Sequence, residues 1–305
     1  MIRRRSLFAA ALLSAAILAG TGRSQPLSPD TGGTRIGERQ TPANEVEAAA
    51  RLQELMPAWA GAARRYERYA LRFLCSETHR TIDYSRLEGE ARKEKEKVYG
   101  YLLTLDPSST EYQVIRQVLD SEGRPTGGEK KIDVPAPEPY SWTQIFLPTL
   151  ASTLRFHYLG REIQHYKLTH VVSFEGSAPG EEGRDIREWS GTVWIEENTG
   201  NIVRVEARPN YQNERIRTLW KDYVQSFSFP WGKAKARPHG YALAVVFDFG
   251  RDGLLFPTRV DLTDFTWIAT NREVVDTRLV LTYDDYRFFR IESEEKVHGP
   301  KPGAP

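Results

Sequence analysis

"WSGTVWIEENTGNIVRVEARP", Trp189 to Pro209, decides how the rest of the chain reads. Apolar and polar residues alternate on both sides of "ENTG", the period-two pattern of strands with one buried face. Gly200 can take the positive φ that a tight turn requires. The stretch therefore predicts a β-hairpin with Val193, Ile195, Val203 and Val205 on one apolar face. Trp194, Glu196, Arg204 and Glu206 lie on the other, where Trp194 can cover the stem of a charged neighbour. Such hairpins are most often scaffold, so any functional role depends on what the apolar face looks at.

The same alternation recurs outward in "VYGYLLTL", "EYQVIRQVL", "HYKLTHVVSF", "YALAVVFDF", "TRVDLTDFTWI" and "RLVLTYDDYRFF". By this rule the chain has about eight to nine strands. Asp106 to Ser109, "DPSS", supplies one hairpin turn. "SWTQIFLPTLAS", Ser141 to Ser152, reads as a short covering helix or apolar loop interrupted by Pro148. No long helices alternate with the strands, which disfavours a parallel βαβ sheet. The expected class is α+β, a large antiparallel meander with helical cover.

Before the strands the period is helical. Leu52, Leu55, Met56 and Trp59 fall at i, i+3, i+4 and i+7, and Tyr66, Tyr69, Ala70 and Phe73 repeat that spacing; Pro57 is expected to kink or restart the helix. The pattern runs on to "FLCSETHR", beyond which Leu87 to Lys97 reads as a charged, solvated segment. Upstream, "QPLSPDTGGTRIGERQTPA" (25–43) has the composition of a disordered leader. The start, "MIRRRSLFAAALLSAAILAG", has Arg3, Arg4 and Arg5 before a short apolar run, the form of a secretory signal peptide over 1–24. "RRSLF" (Arg4 to Phe8) also fits a twin-arginine signal, although basic starts are ordinary. Thr21, not cysteine, follows "LAG", so lipid anchoring is not expected. One domain over 44–292 and a disordered tail over 293–305 complete the organisation, in a soluble periplasmic or secreted protein.

Charge is nearly balanced, at +1 from 42 basic and 41 acidic side chains. Loss of Arg3, Arg4, Arg5 and Arg23 with the signal takes it to about −3, which argues against a nucleic-acid partner. The single cysteine, Cys75, allows no internal disulfide, so stability must come from burial.

"FLCSETHR" after a helix, "GTVWIEENTGNIVRVEA", "LLFPTRVDL" and "LTYDDYRFFRIES" together resemble a family of exported bacterial proteins of acidobacterial type. The resemblance spans Tyr69 to Ser293 and rests on Gly191, Trp194, Gly200, Arg204, Pro257, Arg259, Tyr286 and Phe289. That family is similar in sheet order to the LolA/LolB-like lipoprotein-carrier fold. The resemblance implies a strongly curved antiparallel sheet forming an incomplete β-barrel, plugged by helices, with an acyl chain or other apolar group held between.

Recognisable reaction chemistry is missing. The chain contains no G-x-S-x-G elbow, no H-E-x-x-H zinc helix, no P-loop and no G-x-G-x-x-G after a strand. No enzymatic activity and no cofactor are expected. His157, His165 and His170 cluster, but a metal needs convergent ligands and strand alternation sends His165 and His170 to opposite faces. Cys75 has only His79 nearby as a cation to activate it and reads as a small buried side chain. Asp248, Asp252 and Asp261 near "FDFGRDGLLFP" are explained by turn geometry and solvation.

The function read from these features is binding or carriage of a lipid, acyl chain or acylated protein. The candidate apolar lining is Tyr166, Leu168, Val172, Val193, Ile195, Val203, Val205, Leu243, Val245, Phe247 and Leu281, each of which would equally suit a solid core. "FSFPWGKAKARPHG" (Phe227 to Gly240) places Phe229 and Trp231 beside Lys233 and Lys235, a candidate membrane-contact loop. A closely packed interior would instead favour an envelope protein-interaction or sensor-like module, with a hydrolase as third reading.

Overall fold

The structure, a computed structural model, describes residues 39–70, 72–84, 90–105, 112–129, 136–164, 166–177, 188–210, 218, 221, 239–269 and 272–289. The expectations for 1–24, 293–305, His165, "DPSS" and the loop carrying Phe229, Trp231, Lys233 and Lys235 lie outside the described residues.

Asn44 starts the first element. Its side chain accepts from Glu47 N at 3.0 Å while Glu47 Oε2 accepts from Ala43 N at 2.7 Å, a reciprocal cap. Helix α1 then runs unbroken over Glu45–Tyr69, with Pro57 inside it. Ala48, Trp59, Ala60, Ala62, Ala63 and Tyr66 are its buried residues, whereas Tyr69, also placed on the apolar stripe, is 68% exposed. Residues 39–43, read as the end of a leader, are placed as well. Gln40 bridges Arg161 antiparallel, and Arg39 Nε donates to Glu162 Oε2 at 2.8 Å.

Eleven strands follow: β1 Phe73–Tyr84, β2 Ala91–Leu105, β3 Tyr112–Leu119, β4 Pro125–Glu129, β5 Leu154–Gln164, β6 Lys167–Ser177, β7 Glu188–Glu196, β8 Ile202–Pro209, β9 His239–Arg251, β10 Leu254–Ala269 and β11 Arg272–Phe288. They form one open antiparallel sheet in the order β4-β3-β2-β1-β11-β10-β9-β8-β7-β6-β5. The expected count of eight to nine thus falls short. β4, "PTGGE", is an edge strand whose proline and glycines read as a turn, and an edge is where proline is tolerated. β5 is the opposite edge, and Arg155, Arg161 and Glu162 broke its alternation. The charged stretch before Val98 is strand too, pairing from Asp83↔Lys93 to Thr78↔Val98 with its side chains exposed.

Two meanders build this order. β5 to β11 follow in sequence, and β11 then docks on β1 from Phe73↔Phe288 to Asp83↔Thr277. Because β4 and β5 are opposite edges, the connection between them must traverse the sheet. It does so along the inner face, as a strap made of the 3₁₀ turn Pro139–Gln144 and α2, Pro148–Ala151. Tyr140 packs on Tyr112 of β3 with ring centroids 6.1 Å apart. Trp142 meets Phe174 of β6 and Trp189 of β7, each at 5.7 Å, and Phe146 meets Phe156 of β5 at 5.1 Å.

The strap is clamped where it begins. Arg116 on β3 donates from Nε and Nη2 to Glu77 of β1 at 2.6 and 3.1 Å, and from Nη1 and Nη2 to Glu138 at 2.9 Å each. Tyr283 of β11 donates to Glu77 Oε1 at 2.8 Å. His79 Nε2 lies 3.0 Å from Glu77 Oε2 without an aligned hydrogen bond. Burial by itself would push the Glu77 carboxyl up. Contact with His79 and hydrogen bonds from Arg116 outweigh it and hold the group at about 2.

Two outcomes follow from this packing. Trp142→Ala should lower stability by about 3–5 kcal/mol in urea unfolding, the usual cost of deleting a fully buried indole. Glu77 ionises at about 2 when folded against an ordinary 4.5, so its contribution is present above pH 4.5 and lost as pH falls toward 2. Glu77→Gln should be less stable by about 3 kcal/mol at neutral pH. Unfolding midpoints measured across that window should also fall less steeply for this variant than for wild type; equal slopes would exclude Glu77 as the source.

Candidate functional site

The apolar face of the Trp189–Pro209 hairpin looks at the helix and the strap. Val172, Val193, Ile195, Val203, Val205, Leu243, Val245, Phe247 and Leu281 are at most 2% exposed and share one core with Trp59, Tyr66 and Trp142. Leu168 is on the same strand face but beside the turn of the β5–β6 hairpin, and is partly exposed. Tyr166 is 84% exposed at φ 63, because the hairpin turn falls there and strand alternation does not extend back to it. It lines no interior.

The outer face of the hairpin is as expected polar, and it is covered. Arg204 lies over the Trp194 ring at 5.7 Å, and the Trp194 indole donates to Glu162 at 2.6 Å. Asp261, read as a solvated turn carboxylate, is instead wholly buried within β10, between Arg259 at 2.7 Å and Arg278 at 2.8 Å. Alternation could not show this pairing, since Arg278 belongs to the next strand. Cys75 is buried, and burial pushes its thiol up, so no thiolate nucleophile is stabilised there.

Among the described residues, two pockets flank α1. The one beside its first half, about 500 Å³, is lined by Gln40, Thr41, Pro42, Glu47, Ala50, Arg51, Glu54, Tyr158 and Arg161. Its ionic groups have protein partners: Arg51 pairs with Glu54 at 2.6 Å, Arg161 with Glu197 at 2.8 Å, and Glu47 caps the helix. Behind it the Tyr158 hydroxyl meets His170 Nδ1 at 3.1 Å, and burial pushes the His170 imidazole below its ordinary value. His157 is on the surface near Glu45, so among the described residues it does not converge with His170.

The second pocket, about 350 Å³, lies beside the last turns of α1. Arg65 and Tyr69 come from the helix; Arg251, Asp252 and Leu254 come from the β9–β10 turn; Phe256 comes from β10, and Phe288 and Phe289 from the end of β11. Asp252 and Gly253 have φ 51 and 75, the paired positive values of a tight Asp-Gly hairpin turn. That turn aims Arg251 back over the Phe288 ring at 4.1 Å. The floor is aromatic: Phe256 meets Phe288 edge-on at 4.7 Å and Phe73 at 6.0 Å, and Phe249 stacks on Tyr286 at 4.9 Å. Tyr69, Phe249 and Phe289 leave apolar surface open to solvent at this end. None of these positions stood in the sequence-derived lining. Their signals were the Asp-Gly turn and the run of aromatics closing β11, but their convergence is a product of the β10–β11 pairing and of the packing of the end of α1 on β10.

No protein-family model and no curated protein matches the chain. Among solved structures it is similar to a DUF1329 family protein from Desulfovibrio piger, at 10% identity over 76% of this chain and 92% of that one, with a TM-score of 0.36. At that TM-score the likeness carries no weight in the functional reading.

Proposed function

We propose that the protein is an exported, periplasmic binding or carrier protein for an apolar ligand, a lipid, acyl chain or acylated group. The observation that carries this reading is the aromatic-floored pocket at the end of α1, with large apolar side chains left open around it. Its volume falls at the small end of the range for ligand sites, and its lining combines Tyr69, Leu254, Phe256, Phe288 and Phe289 with the ionic groups of Arg65, Arg251 and Asp252. Contiguous exposed aromatics on a water-facing protein mark places where something else is to be covered. We read the role as binding and not as catalysis.

The sheet in this reading is an incomplete barrel around α1 and the strap. If flat, it would set β3 and β7 seven strand spacings, about 34 Å, apart. Yet Tyr140 and Trp142, no more than about 7 Å apart along the strap, touch Tyr112 of β3 and Trp189 of β7. Curling of the sheet toward the strap accounts for both contacts. The closely packed core under α1 favours a second reading, an envelope protein-interaction or sensor-like module that uses its outer face.

The test is native mass spectrometry of protein purified gently from the cell envelope. A stoichiometric adduct released by denaturation is expected, and its mass identifies the ligand class. Phe289→Glu, an exposed substitution that spares the core, should reduce the bound fraction several-fold. A clean apo mass that persists after incubation with envelope lipids would overturn the carrier reading in favour of the interaction module.

A further inference from the structure

We infer that the pocket at the end of α1 takes an anionic amphiphile, with its acidic head between Arg65 and Arg251 and its chain on Phe256 and Phe288. This rests on the apolar-ligand reading above and adds the chemical class of the head. Two guanidiniums reach the pocket from different elements, one from the helix and one from the β9–β10 turn. Among the described residues of the lining Asp252 is the single acidic one, so their ionisable groups sum to one net positive charge.

How each arginine is engaged matters. Arg65 Nη2 donates to the Thr199 carbonyl at 3.1 Å, which positions the side chain without neutralising it. Arg251 lies over the Phe288 ring, and its contact with Asp252 is 3.4 Å long to a side chain 82% exposed. A pair so exposed adds little stability and leaves the cation available to a better partner. The arrangement contrasts with the pocket at the other end of α1, where Arg51 and Arg161 each hold a carboxylate below 3 Å.

Carboxylate and phosphate oxygens suit this rim because a guanidinium presents parallel N–H donors to two oxygens at once. The apolar floor below suits a hydrocarbon chain and would gain nothing from a free ion. A neutral lipid would fill the floor and leave the arginines unmatched; a cationic one would be repelled. The shared chemistry is a single-chain amphiphile with an acidic head, from a fatty acid or from a monoalkyl phosphate.

The experiment is a set of calorimetric titrations of the full mature chain below micelle-forming concentrations. Dodecanoate and dodecyl phosphate are compared with dodecanol, which has the same chain and no charge, and with acetate and inorganic phosphate, which have the head alone. At least one acidic amphiphile should bind about tenfold more tightly than dodecanol, the scale of one charge-assisted hydrogen bond. The stronger of the two identifies the head group. In Arg65→Gln/Arg251→Gln the ratio of acidic-amphiphile to dodecanol affinity should shrink to about twofold, and in wild type that ratio should fall with added salt.

Equal affinity for dodecanoate, dodecyl phosphate and dodecanol in wild type would overturn the inference and leave the apolar-ligand reading standing. A head preference that survives in the double variant would also overturn it. Inorganic phosphate binding as tightly as dodecyl phosphate would replace the amphiphile with a free-anion site. Failure of every chain-bearing compound to bind would remove the apolar-ligand reading itself.

Discussion

The constraint on which the structure depends is topological. β4 and β5 are the two edges of one open sheet, and the chain between them has to cross from one to the other. Crossing along the outer face would leave Trp142, Ile145 and Phe146 in water. Crossing along the inner face makes those residues the filling of the core, where none is more than 2% exposed. The burial of a polar backbone segment is then acceptable because its 3₁₀ and helical turns satisfy part of its own hydrogen bonding, for example Leu147 N to Gln144 O at 2.8 Å.

Arg116 makes that crossing specific. Its guanidinium spans Glu77 in β1 and Glu138 at the head of the strap, so one side chain ties β3, the sheet centre and the covering segment together. A buried group of this kind is weak evidence for net stability but costly to disrupt, since removal of one partner leaves a charge in a dry interior. It sits near β11 through Tyr283, where the two meanders join. The joint itself is the longest-range strand pairing among the described residues, and it delivers Phe288 beside Phe73.

The same filling explains why the candidate site is at a rim. α1 and the strap occupy the inner face of the hairpin strands, so the residues expected to line a cavity serve as core instead. Toward the end of α1 this cover runs out. There the helix stops at Tyr69, the tight β9–β10 turn stands opposite, and aromatic side chains from β10 and β11 are left with a partly open surface. Arginines at both sides of that opening give it a sign, which the apolar interior lacks.

The sequence by itself determined the local elements. Alternation with "ENTG" specified the β7–β8 hairpin and its two faces, and the apolar stripe through Trp59 specified α1, because both periods follow from backbone geometry alone. It did not reveal β4 and β5, since edge strands are free of the two-sided burial that writes a clear pattern and can carry Pro125, Gly127 or Arg155. Only the tertiary structure decided which face was filled, that Asp261 met Arg259 and Arg278, and that Glu77, Arg116 and Glu138 became one group. The candidate pocket belongs with these. Arg65, Arg251 and Phe288 are far apart along the chain, and no local pattern encodes their meeting; it follows from β10 pairing with both β9 and β11 while the end of α1 packs on β10 through Tyr66 and Phe256.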